Sequence, residues 1–233
     1  MPFELSEGIF VFIFYKKYNK MLFSEKERHI SLKNAELLFI ESFFEKEEAD
    51  NLQKELTENV DWQQGEIMMF GKKVLEPRLT AWYGDEGKVY TYSGKTQVPL
   101  PWNAQLLSIK HRIEQLTTPS VYLTKTAENA LIPKHFNSVL LNYYRNGTDS
   151  MGFHSDNEKE LGLNPTIASV NFGESRRFIF RRKDDKNEKF ELLLTHGSLL
   201  VMSGEMQHHW QHAIPKEPKK TKPRINLTFR WIL

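Results

Sequence analysis

The C-terminal half of this chain is divided into short apolar or alternating segments, and this division constrains the fold more than any other feature. Six segments are predicted strands: Val139–Tyr144, Thr166–Phe172, Arg176–Arg182, Phe190–Leu194, Ser198–Met202 and Ile225–Leu233. Turn-forming residues such as Asn146-Gly147 and Ser203-Gly204 separate them. Serial short strands predict a β-sandwich or a jelly roll.

Two amphipathic helices are predicted in the N-terminal half. Ser42 is predicted to cap the first, whose apolar face includes Ala49, Leu52 and Leu56. The second is predicted to begin at Pro101, and its apolar stripe consists of Trp102, Leu106, Ile109, Ile113 and Leu116. We therefore expect a mostly β domain with N-terminal helices packed on one sheet.

Composition excludes several kinds of site. The chain has no cysteine, which excludes disulfides, thiolate zinc sites and iron–sulfur clusters, so a metal would need histidine and carboxylate ligands. The apolar run Ile9–Tyr15 is too short for a transmembrane helix, and we expect no membrane association. We assign residues 1–30 to an N-terminal extension of unknown role, with Met21 as an alternative start. Residues 31–233 form one domain, with 31–137 carrying the helices and a nucleotide-recognition lid and 138–233 the strand-rich core.

The segment around His154 is the first candidate site. His154 and Asp156 are two residues apart, so in an extended segment both side chains project from the same side. One further histidine would complete a two-histidine, one-carboxylate set, which is typical of non-haem Fe(II) oxygenases. A loop histidine bonded to a nearby acid is the alternative. His208, His209 and His212 are all candidates for the second histidine, and their spacing does not choose among them.

The last predicted strand is amphipathic. Arg224, Asn226, Thr228 and Arg230 alternate with apolar residues and therefore share one face. If that face looks into a barrel, its guanidinium groups need anionic partners, which a dicarboxylate would supply. A solvent-facing polar side is the alternative.

Two segments between residues 68 and 94 have a nucleic-acid interpretation beside a structural one. Met68–Lys73 is interpreted first as a hairpin tip and second as an exposed wedge flanked by phosphate-binding lysines. Tyr90 and Tyr92 share a strand face and, with Arg78, could clamp an unpaired base. Packing of both tyrosines against a core is the commoner alternative.

The order of these motifs resembles the AlkB family of Fe(II)- and 2-oxoglutarate-dependent dioxygenases, which repair alkylated nucleobases. The resemblance runs from about Phe70 to Leu233 and includes the subgroup acting on duplex DNA. The motifs that carry it are Asn142-Tyr143-Tyr144, His154-Ser155-Asp156-Asn157-Glu158, Ile167-Ala168-Ser169-Val170, His196-Gly197-Ser198-Leu199-Leu200, His209-Trp210-Gln211-His212 and Arg224 to Arg230.

The resemblance implies a double-stranded β-helix (jelly roll) and a set of site residues. The iron ligands and catalytic centre would be His154, Asp156 and His212. The 2-oxoglutarate pocket would contain Asn142, Tyr144, Arg224, Asn226, Thr228 and Arg230, with the distal carboxylate on Arg224. The substrate-binding residues would be Phe70, Gly71, Lys72, Arg78, Tyr90, Thr91, Tyr92, Asn157 and Glu158.

Within that set, the resemblance places Phe70 in a wedge loop and Glu158 beside the exocyclic group of the base. Asn157 is a departure, because close relatives have aspartate there, and the change removes a negative charge near the substrate.

The expected function is oxidative demethylation of 1-methyladenine- or 3-methylcytosine-type bases in DNA. The reaction is coupled to 2-oxoglutarate decarboxylation and releases formaldehyde, succinate and CO₂. The alternatives are a 2-oxoglutarate dioxygenase acting on RNA or protein, and a non-catalytic nucleic-acid-binding relative. We expect a monomer without an obligate protein partner, in the cytoplasm or, in a eukaryote, the nucleus.

Overall fold

The computed structural model describes residues 27–69, 71–88, 90–92, 95–116 and 135–233. The run Ile9–Tyr15, Met21 and Phe70 lie outside the described residues, as do the side chains of Tyr90, Thr91 and Tyr92. Among the described residues, no helix is long and apolar enough to cross a membrane.

Two antiparallel sheets build the domain, as the predicted jelly roll requires. The larger sheet contains, in spatial order, β1 (Glu27–Leu32), β2 (Ala35–Ile40), β13 (Ser198–Ser203), β10 (Ile167–Gly173), β15 (Arg224–Arg230), β8 (Ser138–Tyr144) and β5 (Leu79–Gly84). The smaller sheet contains β12 (Lys189–Leu194), β11 (Arg176–Arg182), β14 (Trp210–Ile214) and β9 (Met151–His154). Strands far apart in sequence are therefore neighbours in both sheets. The predicted domain boundary after residue 30 falls within β1, and it remains a prediction.

Two hairpins lie outside these sheets. One pairs β3 (Glu66–Met69) with β4 (Lys72–Leu75), which confirms the hairpin interpretation of Met68–Lys73. The other pairs β6 (Tyr90–Tyr92) with β7 (Lys95–Gln97).

All six predicted strands are present, but the predicted last strand extends too far toward the C-terminus. The strand ends at Arg230. Beyond it, the backbone of Ile232 is bonded to the side chain of Asn137, which accepts from the Ile232 N–H at 2.7 Å and donates to the Ile232 carbonyl at 2.7 Å. The strand β14 was not predicted, although it carries one of the three candidate histidines.

The helices begin later than predicted. Helix α1 (Lys46–Asn59) has Glu45 as its N-cap residue, so the predicted cap at Ser42 is wrong. Helix α2 (Ala104–Gln115) starts after Asn103, whose side-chain oxygen accepts the Leu106 N–H at 2.8 Å, so Pro101 does not open it. An asparagine cap satisfies an orphan amide of the first turn, which proline does not. A third, one-turn helix, α3 (Met206–His209), precedes β14.

The larger sheet separates two hydrophobic cores. Apolar side chains on its outer face, such as Val170 and Leu227, pack with Ala49 and Leu56 of α1 and with Ile109 of α2. A second core lies between the sheets and includes Phe39, Leu200, Phe180, Trp210 and Ile214. The inner face of β15 contributes polar residues instead, which leaves space for a polar pocket between the sheets.

Two loops at one end of the sandwich are joined through Gly147. Its N–H donates to the Lys220 carbonyl at 2.8 Å, and its carbonyl accepts from the Glu217 N–H at 2.7 Å. The buried Arg176 lies behind this contact and pairs with the Glu217 carboxylate at 3.0 Å. A Cβ at residue 147 would lie 1.8 Å from the Glu217 carbonyl oxygen, so the loops pack too closely for any side chain there.

We expect Gly147→Ala to lower the free energy of unfolding by about 2 kcal/mol or more, because the backbone of one loop must move. Urea denaturation followed by circular dichroism measures the change. The control is Gly152→Ala, where nothing lies within 4 Å of the added Cβ. Equal losses in the two variants would contradict the packing argument.

Candidate active site

His154, Asp156 and His212 converge at one point between the sheets. His154 ends β9, Asp156 follows it by two residues, and His212 lies in β14 directly opposite His154 in the strand register. One ligand atom from each lies within 4.8 Å of the other two. Within the described part of the chain, this is the group of histidines and carboxylates whose geometry fits a metal ion.

Hydrogen bonds orient these side chains. The Nδ1 of His154 lies 2.9 Å from the Gly152 carbonyl, which only accepts, so Nδ1 carries the proton and Nε2 is free to coordinate. Arg230 donates through Nη2 to Oδ2 of Asp156 at 2.9 Å. The Asp156 N–H donates to the Gln207 side-chain oxygen at 3.0 Å. One carboxylate oxygen is therefore held by an arginine while the other faces His154, at 3.7 Å from Nε2.

The electrostatics keep Asp156 and His212 in the protonation states that bind metal. Burial alone would raise the pKa of Asp156, but the guanidinium of Arg230 and the neighbouring histidines outweigh it, so the pKa lies well below its usual range. Burial, helped by His154, lowers the pKa of His212 to about 3, and its imidazole is neutral at physiological pH. A carboxylate and a neutral imidazole are the forms that coordinate Fe(II).

Arg224 forms the opposite end of the same pocket and is 2% exposed. Its Nη2 donates to Oδ1 of Asn171 at 2.5 Å, while Nε and Nη1 are buried with no acceptor among the described residues. Burial lowers the pKa of Arg224 to about 10, partly offset by the nearby phenol of Tyr144. Two buried guanidinium donors without an acceptor fit a bound carboxylate, the group that 2-oxoglutarate presents.

The polar face of β15 points into this pocket and away from solvent, so the solvent-facing alternative is wrong. Asn226 donates to Oγ of Ser169 at 2.8 Å, and Thr228 donates to Oδ1 of Asn226 at 3.1 Å. On β8, Asn142 and Tyr144 line the same space. The six predicted 2-oxoglutarate residues are therefore brought together, around a wall completed by the apolar side chains of Met151, Phe178 and Ile214.

The predicted substrate residues fall into two groups. Arg78 and Glu158 line the pocket beside the metal set, and Oε2 of Glu158 is buried without a hydrogen-bond partner among the described residues. Asn157 is exposed, and Gly71 and Lys72 lie at the tip of the β3–β4 hairpin, outside the pocket lining.

The other two candidate histidines lie elsewhere. His208 contacts the Leu163 carbonyl and the side chain of Asn164, and His209 lies 3.5 Å from the Glu205 carboxylate. Because β14 begins at Trp210, only His212 of the three is inside the smaller sheet.

Sequence reasoning missed several supporting residues. Gln207 holds the backbone of Asp156, Asn171 holds Arg224, and Glu76 pairs with Arg78. The Gln207 and Asn171 contacts join elements far apart in sequence, so local periodicity gives no signal for them. Glu76 and Arg78 are only two residues apart, but their spacing alone does not show that both side chains are buried.

Comparison with known proteins gives matches across most of the chain. Residues 36–230 match the 2OG-Fe(II) oxygenase superfamily. DNA oxidative demethylase ALKBH2 of Bos taurus is 40% identical over 200 residues, which cover 82% of this chain and 66% of that protein. Alpha-ketoglutarate-dependent dioxygenase alkB homolog 3 of Bos taurus is 41% identical over 199 residues, covering 82% and 64%. The chain thus spans about two thirds of the length of these relatives.

More distant matches agree. DNA oxidative demethylase ALKBH2 of Arabidopsis thaliana is 31% identical over 222 residues, covering 85% of this chain and 67% of that protein. A solved structure of OsALKBH1 superposes with a TM-score of 0.59 at 14% identity, covering 88% of this chain and 100% of that one. At this identity, the likeness to the solved structure shows the fold alone.

We expect His212→Ala to weaken binding of a divalent metal by about 100-fold or more, because it removes one of three converging ligands. Anaerobic calorimetric titration with Mn(II) measures the affinity without turnover. His208→Ala and His209→Ala are matched controls, and neither should change the affinity. A loss in either control as large as that in His212→Ala would overturn the ligand assignment.

Proposed function

The chain belongs to the AlkB family of the 2OG-Fe(II) oxygenase superfamily, and we propose that it is an oxidative demethylase of N-alkylated bases in DNA. One observation carries the proposal. The set His154, Asp156 and His212 lines the same pocket as the unpaired guanidinium nitrogens of Arg224. A metal and a dicarboxylate would therefore be held side by side, as this chemistry requires.

The residues of the pocket have distinct tasks in this proposal. His154, Asp156 and His212 would hold Fe(II), and Arg224, Tyr144 and Asn226 would hold the distal carboxylate of 2-oxoglutarate. When bound, Fe(II) and 2-oxoglutarate would supply, together with O₂, an oxidant for the methyl carbon, and 2-oxoglutarate would become succinate and CO₂. The hydroxymethyl group formed on the base would then be released as formaldehyde.

Arg230 keeps Asp156 ionised and fixes one of its two oxygens. Asn142 and Thr228 supply hydrogen-bonding groups on neighbouring strands, and the apolar wall limits the entry of water. The contribution of the protein is orientation and charge control in an enclosed pocket.

Glu158 supports a base with an exocyclic amino group as substrate. Its buried, unpartnered oxygen lies on the pocket lining, and an ionised carboxylate only accepts hydrogen bonds. Adenine and cytosine both carry an amino group beside the ring nitrogen that pairs in a duplex. We therefore propose 1-methyladenine and 3-methylcytosine as the substrate class.

A base must leave the duplex to reach this pocket, because the metal set lies between two sheets. Flipping costs a few kcal/mol, and less for a base whose pairing edge is already blocked by a methyl group. The exposed lysines of the β3–β4 hairpin, Lys72 and Lys73, support contact with the phosphate backbone during this step. A single chain supplies the whole set, which supports a monomeric enzyme.

The function is tested with oligonucleotides that carry one 1-methyladenine, incubated with Fe(II), 2-oxoglutarate, ascorbate and O₂. We expect mass spectrometry to show loss of a methylene mass only when 2-oxoglutarate is present, and no loss with Asp156→Ala. Loss from RNA but not DNA would favour an RNA demethylase. Succinate without demethylation would favour another substrate, and neither product would favour a non-catalytic binding protein.

The cosubstrate site makes a separate prediction. Arg224→Ala should raise the KM for 2-oxoglutarate by about 100-fold, since it removes two charge-assisted hydrogen bonds to a carboxylate. Succinate formation measured against 2-oxoglutarate concentration gives KM. The matched control is Arg177→Ala, which removes an exposed arginine paired with Glu191, and its KM should stay at the wild-type value. An unchanged KM in Arg224→Ala would contradict the assignment.

A further inference from the structure

A buried ion pair lies directly behind the base-facing part of the pocket. Oε2 of Glu76 is 3.3 Å from Nη2 of Arg78, and the two side chains are 6% and 5% exposed. Arg78 lines the pocket and Glu76 does not. Glu76 therefore affects a ligand through its contact with Arg78 and through the electric field of its own charge.

The position of Glu76 is fixed from several sides. Its N–H donates to the Gly65 carbonyl at 2.8 Å, and its carbonyl accepts from the Gln64 side chain at 2.9 Å. A Cβ at residue 65 would lie 3.2 Å from the carboxyl carbon of Glu76, so the glycine lets the carboxylate pack against the backbone. The pair is therefore held by the segment just before β3.

Arg78 is fixed on its other side by the cofactor half of the pocket. Its Nε donates to Oδ1 of Asn142 at 2.8 Å. The preceding Pro77 accepts from the Ser150 N–H at 3.0 Å, just before β9. Arg78 thus presents a guanidinium of fixed orientation to the pocket, held between Glu76 and Asn142.

The charge of the pocket depends on Glu76. The lining residues with charged side chains are three arginines and two carboxylates: Arg78, Arg224, Arg230, Asp156 and Glu158. Bound Fe(II) and doubly charged 2-oxoglutarate would cancel each other. Without Glu76 the pocket would carry one net positive charge toward the base, and with Glu76 that charge is balanced.

This balance matters because methylated bases differ in charge. Methylation at N1 of adenine or N3 of cytosine leaves a cationic ring near neutral pH, whereas 1-methylguanine and 3-methylthymine are neutral. A net positive pocket would repel the cationic bases and leave the neutral ones almost unaffected.

We propose that Glu76 is a specificity-determining positioning residue, which holds Arg78 and neutralises it so that the pocket accepts cationic methylated bases. This inference rests on the proposed demethylase function and adds to it a residue that touches neither substrate nor cofactor. A merely structural Glu76 would stabilise the fold without distinguishing substrates by charge.

The test compares kcat/KM for 1-methyladenine and 1-methylguanine in otherwise identical oligonucleotides, using wild type, Glu76→Gln and Glu76→Asp. Glutamine keeps the size and removes the charge, so the ratio of the two values should fall about tenfold. Aspartate keeps the charge, and its ratio should lie closer to that of the wild type. Thermal unfolding of each variant reports whether it is folded.

The matched control is Glu48→Gln, which removes a carboxylate from an arginine, Arg112, in the helical layer outside the larger sheet. Its ratio should equal that of the wild type. Two results would overturn the inference while the demethylase function stands. One is an equal loss of kcat/KM on both substrates in Glu76→Gln, and the other is a ratio of kcat/KM values in Glu76→Asp that is as low as in Glu76→Gln. A wild-type protein that demethylates neither oligonucleotide would overturn the proposed function and this inference with it.

Discussion

The strict alternation of side chains along β15 is the constraint on which the rest of the molecule depends. Ile225, Leu227 and Phe229 are fully buried in the core shared with the helices, while the residues between them face the pocket. Because a strand has period 2, slipping its register by one residue would put arginines into the apolar core and apolar residues into the pocket. The pairing of β15 with its neighbours β10 and β8 therefore fixes the register of β15 and, with it, which side chains face the pocket.

The pocket is built from buried charges, and its three arginines differ in whether a carboxylate of the protein pairs with them. Arg230 contacts Asp156, and Arg78 contacts Glu76 and Asn142. Arg224 contacts no carboxylate among the described residues, because its partners are the amide of Asn171 and the ring of Tyr144. Burying a guanidinium is costly unless anionic or well-placed polar groups compensate. Arg230 and Arg78 are thus each paired with a carboxylate, whereas the Arg224 end of the pocket is cationic. In the proposed function, that asymmetry would set the orientation of 2-oxoglutarate.

Local patterns gave the parts of the fold and site that depend on one segment. The six strands of the C-terminal half, the polar face of Arg224 to Arg230 and the pairing of His154 with Asp156 all follow from period-2 alternation. Helix starts were less well predicted. The polar residues Ser42 and Asn103 both resemble caps, and only the tertiary packing of the helices shows that α1 begins after Glu45.

The parts that depend on distant segments could not be predicted in this way. The choice of His212 over His208 and His209 follows from the pairing of β14 with β9, since the register puts His212 opposite His154. Residues 154 and 212 are separated by most of the jelly roll, and no local period reports that pairing. The resemblance to the AlkB family supplied that choice, because it carries the register of a related fold.

Strand β8 joins the two functional halves of the pocket. Asn142 lies opposite Asn226 of β15 on one side and Thr80 of β5 on the other, and its side chain accepts from Arg78. In the proposed function, the guanidinium that faces the base is therefore bonded to a residue of the 2-oxoglutarate pocket. A shift of Asn142 on binding of the dicarboxylate would move its hydrogen-bond acceptor and so move Arg78. Glu76 and Ser150 hold the same segment from the other side, so Arg78 lies between a fixed segment and the strand that lines the proposed 2-oxoglutarate pocket.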